Sequence, residues 1–490
     1  MKKAVVIGAG YGGIAASLRL RAKGYDVEVI DQCSAIGGRA QVYQVDGFKY
    51  DAGPTVLTAP FLFEELFNLF DKNIKDYVDI VPLKTWYQFY FPDGKVFNYG
   101  GSLDSTLREI EKFEPRDKQN YLQLLEKSKA IFIIGFEDLA DQAFHNFSKM
   151  VSVLPELIRL NSVQTVWGLV SSHLKSPYMQ QAFSIQSLLV GGNPFDTTSI
   201  YSLIHYLERE WGVHFAMGGT GSLTKALETL MHEEGIKVTL DEPVQKVHIN
   251  NRKAVGVILK SGEIKPADIV ISNADAAYLY SSMIEKKDKS FSARVKTKYA
   301  QFSMGLYVLY FGTTKQYTEV EHHTIWLGKR YQELLDDIFH KQILADDFSL
   351  YLHRPSATDP SFAPEGCDSF YVLAPVPNLQ GKVDWELEGP LLRNKIVKAL
   401  SDTILPNLEN TITADFFKTP KDFEQDYSSV HGAGFSISPL LTQSAWFRYH
   451  NKAEGIKNLY LVGAGTHPGA GLPGVICSAK VIDDLIPKAS

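Results

Sequence analysis

Lys3-Ala-Val-Val-Ile7 is a short β-branched apolar run that stops at Gly8-Ala9-Gly10-Tyr11-Gly12-Gly13, after which Ile14, Ala15, Leu18 and Ala22 recur at helical spacing. The pattern predicts strand, glycine turn, helix, and a second strand follows over Asp26 to Ile30. Farther along, Leu223, Leu227 and Leu230 share one face of a predicted helix behind Gly218-Gly219-Thr220-Gly221, and strands are predicted over 236–240, 244–249, 255–259 and 267–272. Trp86 to Phe91 alternates as a strand does, and Met304 to Phe311 is an apolar, aromatic run. Near the far end a strand over Asn458 to Val462 gives way to a stretch rich in glycine and proline, Gly463 to Gly474. A helix then carries Val475, Ala479, Ile482, Leu485 and Ile486 on its apolar face.

This alternation of strand and helix predicts an α/β protein built on a Rossmann-like domain. Its 490 residues exceed one ordinary core, so two or more packed units are expected. The apolar fraction of 45% and charged fraction of 22% belong to a folded globular chain. A formal net charge of -6 gives no electrostatic case for a nucleic-acid partner. Cys33, Cys367 and Cys477 lie far apart with no metal-type Cys/His spacing, so no metal is expected and a reduced, cytoplasmic-facing protein is. The apolar run after Met1-Lys2-Lys3 is too short for a secretion signal, and no stretch of about 18 apolar residues predicts a membrane span.

The glycine turn carries chemistry. Gly8 permits a tight turn, Gly10 lets a diphosphate approach the backbone, and Gly13 lets helix and strand pack closely. Asp31, closing the second strand, stands where a carboxylate accepts hydrogen bonds from the adenosine ribose. Gly38 and Arg39 add backbone amides and a guanidinium for a diphosphate, and Gly53-Pro54-Thr55 is a rigid turn suited to a flat ring. Taken alone, Arg39 reads equally as a surface ion-pair former and Gly53-Pro54 as an ordinary turn. At the other end Gly463, Gly465, Pro473, Gly474 and Val475 strip side chains from a loop and open a helix whose positive end suits a reduced flavin. Val244, heading its strand, is counted with the cofactor-binding positions. Together these residues predict FAD, held by a domain assembled from 1–75, 215–280 and 445–490, with 76–214 and 281–444 left for substrate and membrane contact. Gly218 to Gly221 lacks the Gly-Lys-Ser/Thr ending of a phosphate loop.

Beyond these motifs, Ser187-Leu-Leu-Val-Gly-Gly192, Leu207-Glu-Arg-Glu-Trp-Gly212, Phe348-Ser-Leu-Tyr-Leu-His353, Leu441-Thr-Gln-Ser-Ala-Trp446-Phe-Arg448 and Gly463-Ala-Gly-Thr-His-Pro-Gly-Ala-Gly471 closely resemble the bacterial-type carotenoid desaturases, the phytoene desaturases among them, within the flavin amine-oxidase-like superfamily. The resemblance covers nearly the whole chain; its one departure is Asp31, where the family commonly carries Glu. It implies an inserted mixed α+β substrate domain, a helical membrane-facing part, and a C40 polyene, phytoene, desaturated stepwise to lycopene. The aromatic runs at 86–91 and 304–311 are compatible with a tunnel or with ordinary core.

With no carbonyl or amine to polarise, the cofactor carries the hard step and the protein positions the polyene. His467, inside the flavin loop, is the candidate acid or base, or else shapes that loop. A single dinucleotide fingerprint favours a quinone or oxygen over NAD as electron acceptor. A hydrocarbon substrate predicts a peripheral enzyme on the cytoplasmic face of the membrane, with 144–172 as the contact: Phe147, Met150, Val151, Leu154, Leu157, Ile158 and Leu160 beside Lys149 and Arg159. The same segment also reads as a core-facing helix pair broken at Pro155. A different carotenoid desaturase or isomerase, a non-catalytic prenyl-binding module, and an amine oxidase are the rival readings.

Overall fold

The structure, a computed structural model, describes residues 1–489; the side chains of Lys149, Leu154 and Leu157 lie outside the described residues. Five short strands form one parallel sheet in the order Leu459–Leu461, Ile269–Ser272, Lys3–Ile7, Asp26–Ile30, Lys237–Thr239. The sheet therefore draws strands from the beginning, middle and end of the chain. Its three inner strands are mainly apolar and buried, Ala4 to Ile7 and Ile269 to Ser272 completely so, because both faces are covered, whereas the edge strand Lys237–Thr239 is largely polar and partly exposed. Helix Tyr11–Ala22 is buried from Tyr11 to Leu20 and packs against helix Leu472–Leu485, so the two glycine-rich turns feed adjacent helices.

Two further sheets extend this unit. Val244–Asn250, Lys253–Leu259 and Ile264–Pro266 make an antiparallel flap. A seven-stranded mixed sheet runs Ile412–Lys418, Gly305–Thr313, Asp368–Val376, Leu350–His353, His323–Trp326, Thr85–Tyr90, Val96–Gly100, with one parallel pair, His323–Trp326 beside Thr85–Tyr90. The fold is thus α/β with mixed sheets.

The pleat decides the two aromatic runs differently. In Gly305–Thr313 all nine residues are buried, and Leu306 and Val308, with Met304 just before, face the large cavity, while Tyr307, Leu309 and Phe311 pack behind the sheet. Trp86 to Phe91 stays in the core and does not reach that cavity. Pro155 does not break its helix either: Phe147–Arg159 runs straight past it and ends before Asn161, whose φ of 55° turns the chain out of the helical path. Among the described residues no helix is long and apolar enough to cross a membrane.

Candidate functional site

Asn273, just past strand Ile269–Ser272, sits between the two glycine turns. Its amide nitrogen donates to the Gly8 carbonyl at 3.4 Å, and a Cβ on Gly10 would lie 2.9 Å from that nitrogen. A Cβ on Gly12 or Gly463 would lie 2.6 or 2.7 Å from its Oδ1. Glycine at these positions is thus a requirement of close approach around one amide. Gly13 does another job: a Cβ there would meet the Gly8 carbonyl oxygen at 2.0 Å, so it sets helix against strand and does not line the cavity.

On the opposite side of Gly10 the turn Gly37–Arg39 closes in, with the Gly37 amide donating to the Ala9 carbonyl at 2.8 Å. The Arg39 guanidinium donates from Nη2 to Ser429 Oγ at 3.1 Å and lies 5.7 Å from the centre of the Tyr427 ring. Its Nε is buried with no hydrogen-bond partner among the described residues, and burial lowers its pKa. A desolvated guanidinium with a free donor, facing bare glycine backbone, is the donor set that a diphosphate satisfies. Asp31 Oδ2 accepts from the Ala9 amide at 2.5 Å and Oδ1 from the Cys33 amide at 2.7 Å, which holds the shorter carboxylate against its own turn. Val244 lines the cavity at this end as well.

The Gly53-Pro54-Thr55 turn is pinned from two sides. Asp51 Oδ1 accepts from the Thr220 amide and hydroxyl at 3.0 and 2.8 Å, so its buried carboxylate seats the N-terminus of helix Gly219–Glu233. Burial pushes its pKa up to about 6. Thr55 Oγ1 bonds the hydroxyls of Tyr351 and Tyr371 at 2.8 and 3.1 Å, and Tyr351 in turn meets His323 Nδ1 at 2.7 Å. His322, His323 and His353 bring ring nitrogens within 4.8 Å of one another, a spacing open to a metal that the sequence did not suggest. Hydrogen bonds already engage His322 with Thr358, His323 with Tyr351, and His322 with His353 at 3.1 Å.

The return loop is shaped by Arg448, which is 1% exposed and donates to four carbonyls: Thr466, Gln443, Ile437 and Ala464, at 2.9, 3.1, 3.4 and 2.6 Å. Asn451 adds a bond to the His467 carbonyl at 2.9 Å. The His467 ring bonds the Leu139 carbonyl through Nε2 at 2.7 Å, and burial pushes its pKa down to about 4. It is a neutral imidazole tying the loop to the substrate side. Gly463, Pro473, Gly474 and Val475 line the cavity, whereas Gly465 fits closely against Ala276, where a Cβ would stand at 2.8 Å.

All these turns open into one cavity of about 530 Å³. It begins at Asp31 and Val244, passes Gly10, Arg39 and the return loop, and ends among Ile131, Ile134, Phe144, Val153, Leu203 and Leu207. Of the residues singled out in the sequence, Gly8, Gly10, Asp31, Gly38, Arg39, Gly53, Pro54, Thr55, Val244, Gly463, His467, Pro473, Gly474 and Val475 all meet there. Asn273, Asp51 and Arg448 escaped that reading. A single Asn after a buried strand has no pattern, and the one signal for Arg448 was its place at the end of the 441–448 motif.

The model of flavin-containing amine oxidoreductases matches residues 11–481. A lycopene-forming phytoene desaturase of Pantoea ananas is 45% identical over 99% of this chain and 100% of its own. A neurosporene-forming phytoene desaturase of Rhodobacter capsulatus is 39% identical over 100% of this chain and 94% of its own. The chain belongs to the phytoene desaturase family of flavin amine oxidoreductases. This desaturase-family chain shares its fold with a solved putrescine oxidase, at a TM-score of 0.67 and 12% identity over 99% of this chain and 97% of that one. An oxidoreductase from Methanosarcina mazei superposes with a TM-score of 0.69 at 18% identity, covering 98% of this chain and all of the other. The family makes the chain a flavin-dependent oxidoreductase.

Proposed function

We propose that the chain binds FAD and desaturates phytoene to lycopene in carotenoid biosynthesis. The observation that supports this best is the continuity of one cavity from diphosphate-type glycine turns to a predominantly aliphatic and aromatic end, in a chain alike over its whole length to a lycopene-forming desaturase. Gly8, Gly10, Gly38 and Arg39 would hold the diphosphate, Asp31 the ribose, and Thr55 with the 463–475 loop the flavin ring. When bound, FAD supplies the hydride acceptor at its N5. The cavity wall does the rest: it aligns a rod-shaped hydrocarbon and keeps water from the carbon that loses hydride. With one dinucleotide site in the chain, a quinone or oxygen is the electron acceptor. Purified protein given phytoene in liposomes, with FAD, will develop the long-wavelength absorption of lycopene. A flavin-loaded preparation that leaves phytoene colourless overturns the reading, and a shorter final chromophore would place the chain with the neurosporene-forming relatives.

We further propose peripheral attachment at the cytoplasmic face of the membrane, through a helical face of the substrate domain. Helix Phe147–Arg159 exposes Phe147, Val151 and Ile158 by 55, 52 and 63%, beside the basic Arg159. Phe147 packs edge-on against Trp446 at 5.0 Å, next to exposed Phe447. Lys296, on helix Phe291–Tyr299, bonds the Trp446 carbonyl, and that helix exposes Phe291, Val295 and Tyr299. Exposed apolar side chains beside the exposed Arg294 and Lys298, with Arg159 paired to Glu156 and Lys296 to Glu454, suit a headgroup boundary. Val153 and Leu160, the latter buried, turn the other way and line the cavity, so one segment reaches both surface and substrate space. Leu154, Leu157 and Lys149 lie outside the described side chains. Flotation with anionic liposomes will carry the wild type upward, and Val151→Asp with Ile158→Asp will cut the floated fraction about tenfold at unchanged FAD content. Equal flotation of the double variant would move the contact to another face.

A further inference from the structure

Glu208 is a buried carboxyl set in the wall of a hydrocarbon cavity. It lies on helix Leu203–Trp211, is fully inaccessible to solvent, and lines the cavity next to Leu207 at its apolar end. Tyr87 donates its hydroxyl to Oε1 at 2.7 Å, whereas Oε2 has no partner among the described residues. A buried carboxyl oxygen without a donor is costly, and a fold that keeps one at a cavity wall has a use for it.

Among the other carboxylates lining the cavity, within the described residues, Asp31 is held by the Ala9 and Cys33 amides and Asp426 pairs with Lys418 at 3.0 Å. Asp275 caps the turn at Ala277 and Tyr278 through Oδ1; its Oδ2 is also without a hydrogen-bond partner, but this carboxylate faces the Arg39 and Arg448 guanidinium charges at the nucleotide end and not the apolar wall. His467 is tied to the Leu139 carbonyl.

We propose that Glu208 is the proton acceptor of the desaturation, receiving on Oε2 the proton of the polyene carbon beside the one that loses hydride. The inference rests on the proposed desaturase function. In the balanced step one C–H bond yields hydride to the flavin. The neighbouring C–H bond breaks, its electron pair becomes the new C=C bond, and its proton converts the carboxylate to the acid. The quinone or oxygen that takes up the hydride's two electrons and proton from the flavin also takes up the proton from Glu208, which gives the hydroquinone or hydrogen peroxide and returns Glu208 to its starting state.

The surroundings suit this task. Burial pushes the Glu208 pKa up to about 7, with the Tyr87 hydrogen bond and the Arg209 charge opposing that rise, so both forms are populated near neutrality. The groups that face it are neutral apart from Arg209. Tyr87, Tyr99 and Tyr121 have raised pKa values, and burial pushes His205, one turn earlier on the helix, down to about 4. Arg209 itself is turned toward the Gly101 carbonyl and Thr106.

Three variants test the assignment: Glu208→Gln, Glu208→Asp and Tyr87→Phe. Wild-type kcat should rise with pH through about 7 and level off, since the carboxylate is the active form. Glu208→Gln should lower kcat by about 100-fold, abolish that pH dependence, and leave FAD content and the KM for phytoene within about threefold. Glu208→Asp should recover part of the rate. Tyr87→Phe, which removes the donor to the carboxylate, should shift the profile to higher pH. Without substrate, infrared difference spectra should show a protonated-carboxyl band that titrates near neutrality and is missing in Glu208→Gln. A Glu208→Gln enzyme with wild-type kcat and pH profile, or an infrared band that persists in it, overturns the proposal. If Glu208→Gln fails to fold, an unshifted profile in Tyr87→Phe overturns it instead. Wild-type protein that never acts on phytoene refutes the desaturase reading itself, a result distinct from an active enzyme indifferent to Glu208.

Discussion

Gly10→Val should yield a folded protein that purifies without flavin. The substitution introduces side-chain atoms at the point where Gly10, the Gly37–Arg39 turn and Asn273 converge, and the first of them already stands 2.9 Å from the Asn273 amide nitrogen. The close contact falls on the tip of a side chain and not on backbone, so the Asn273 amide is displaced from the Gly8 carbonyl while the fold survives. The space above Gly10 is then filled, and backbone approach to a diphosphate is lost. The check is the flavin-to-protein absorbance ratio after gel filtration, with circular dichroism to confirm folding. Stoichiometric FAD in a folded Gly10→Val protein would remove the diphosphate from this turn.

Arg448→Lys should cost about 2–4 kcal/mol in resistance to urea, since one or two buried carbonyls lose their donor at about 1–3 kcal/mol each. A guanidinium reaches four carbonyls in one plane, whereas an ammonium on a flexible stem cannot satisfy Thr466, Gln443, Ile437 and Ala464 together. Two of these carbonyls, Ala464 and Thr466, belong to the loop that carries Gly463 to Gly474, so flavin should be released at lower urea than in the wild type, read from the rise in free-flavin fluorescence. Unfolding and release curves that coincide with the wild type would show that the loop holds its shape without this network.

Much of this architecture is written in local pattern. The strand at 3–7 and the turn after it follow from an apolar run that ends at glycine, and the strand at 26–30 from a β-branched alternation that ends at Asp31. The return loop was equally visible, because glycine and proline crowd into it for a steric reason. What escaped notice depends on pairings distant in sequence. Asn273 lies 265 residues from the Gly8 carbonyl it bonds, and Glu208 lies 121 residues from Tyr87. In one dimension Asn273 is one of several polar residues after a strand and Glu208 the first of three charged residues in a row, and only the closed fold supplies the partner that distinguishes each. For the strand at Thr85–Tyr90 the sequence leaves tunnel and core both open, for the converse reason: alternation marks a pleated face, and the pleat does not say whether that face meets a cavity or another layer of side chains.

The order of strands in the parallel sheet also bears on biogenesis. Its edge strand, Leu459–Leu461, and the helix Leu472–Leu485 that packs against the first helix are made long after the strand Lys3–Ile7. That first strand and its helix therefore wait, while all the intervening segments are translated, for partners still unmade. The cofactor pocket closes only once residues 459–475 have followed, and a chain released before them would expose an apolar surface to quality control.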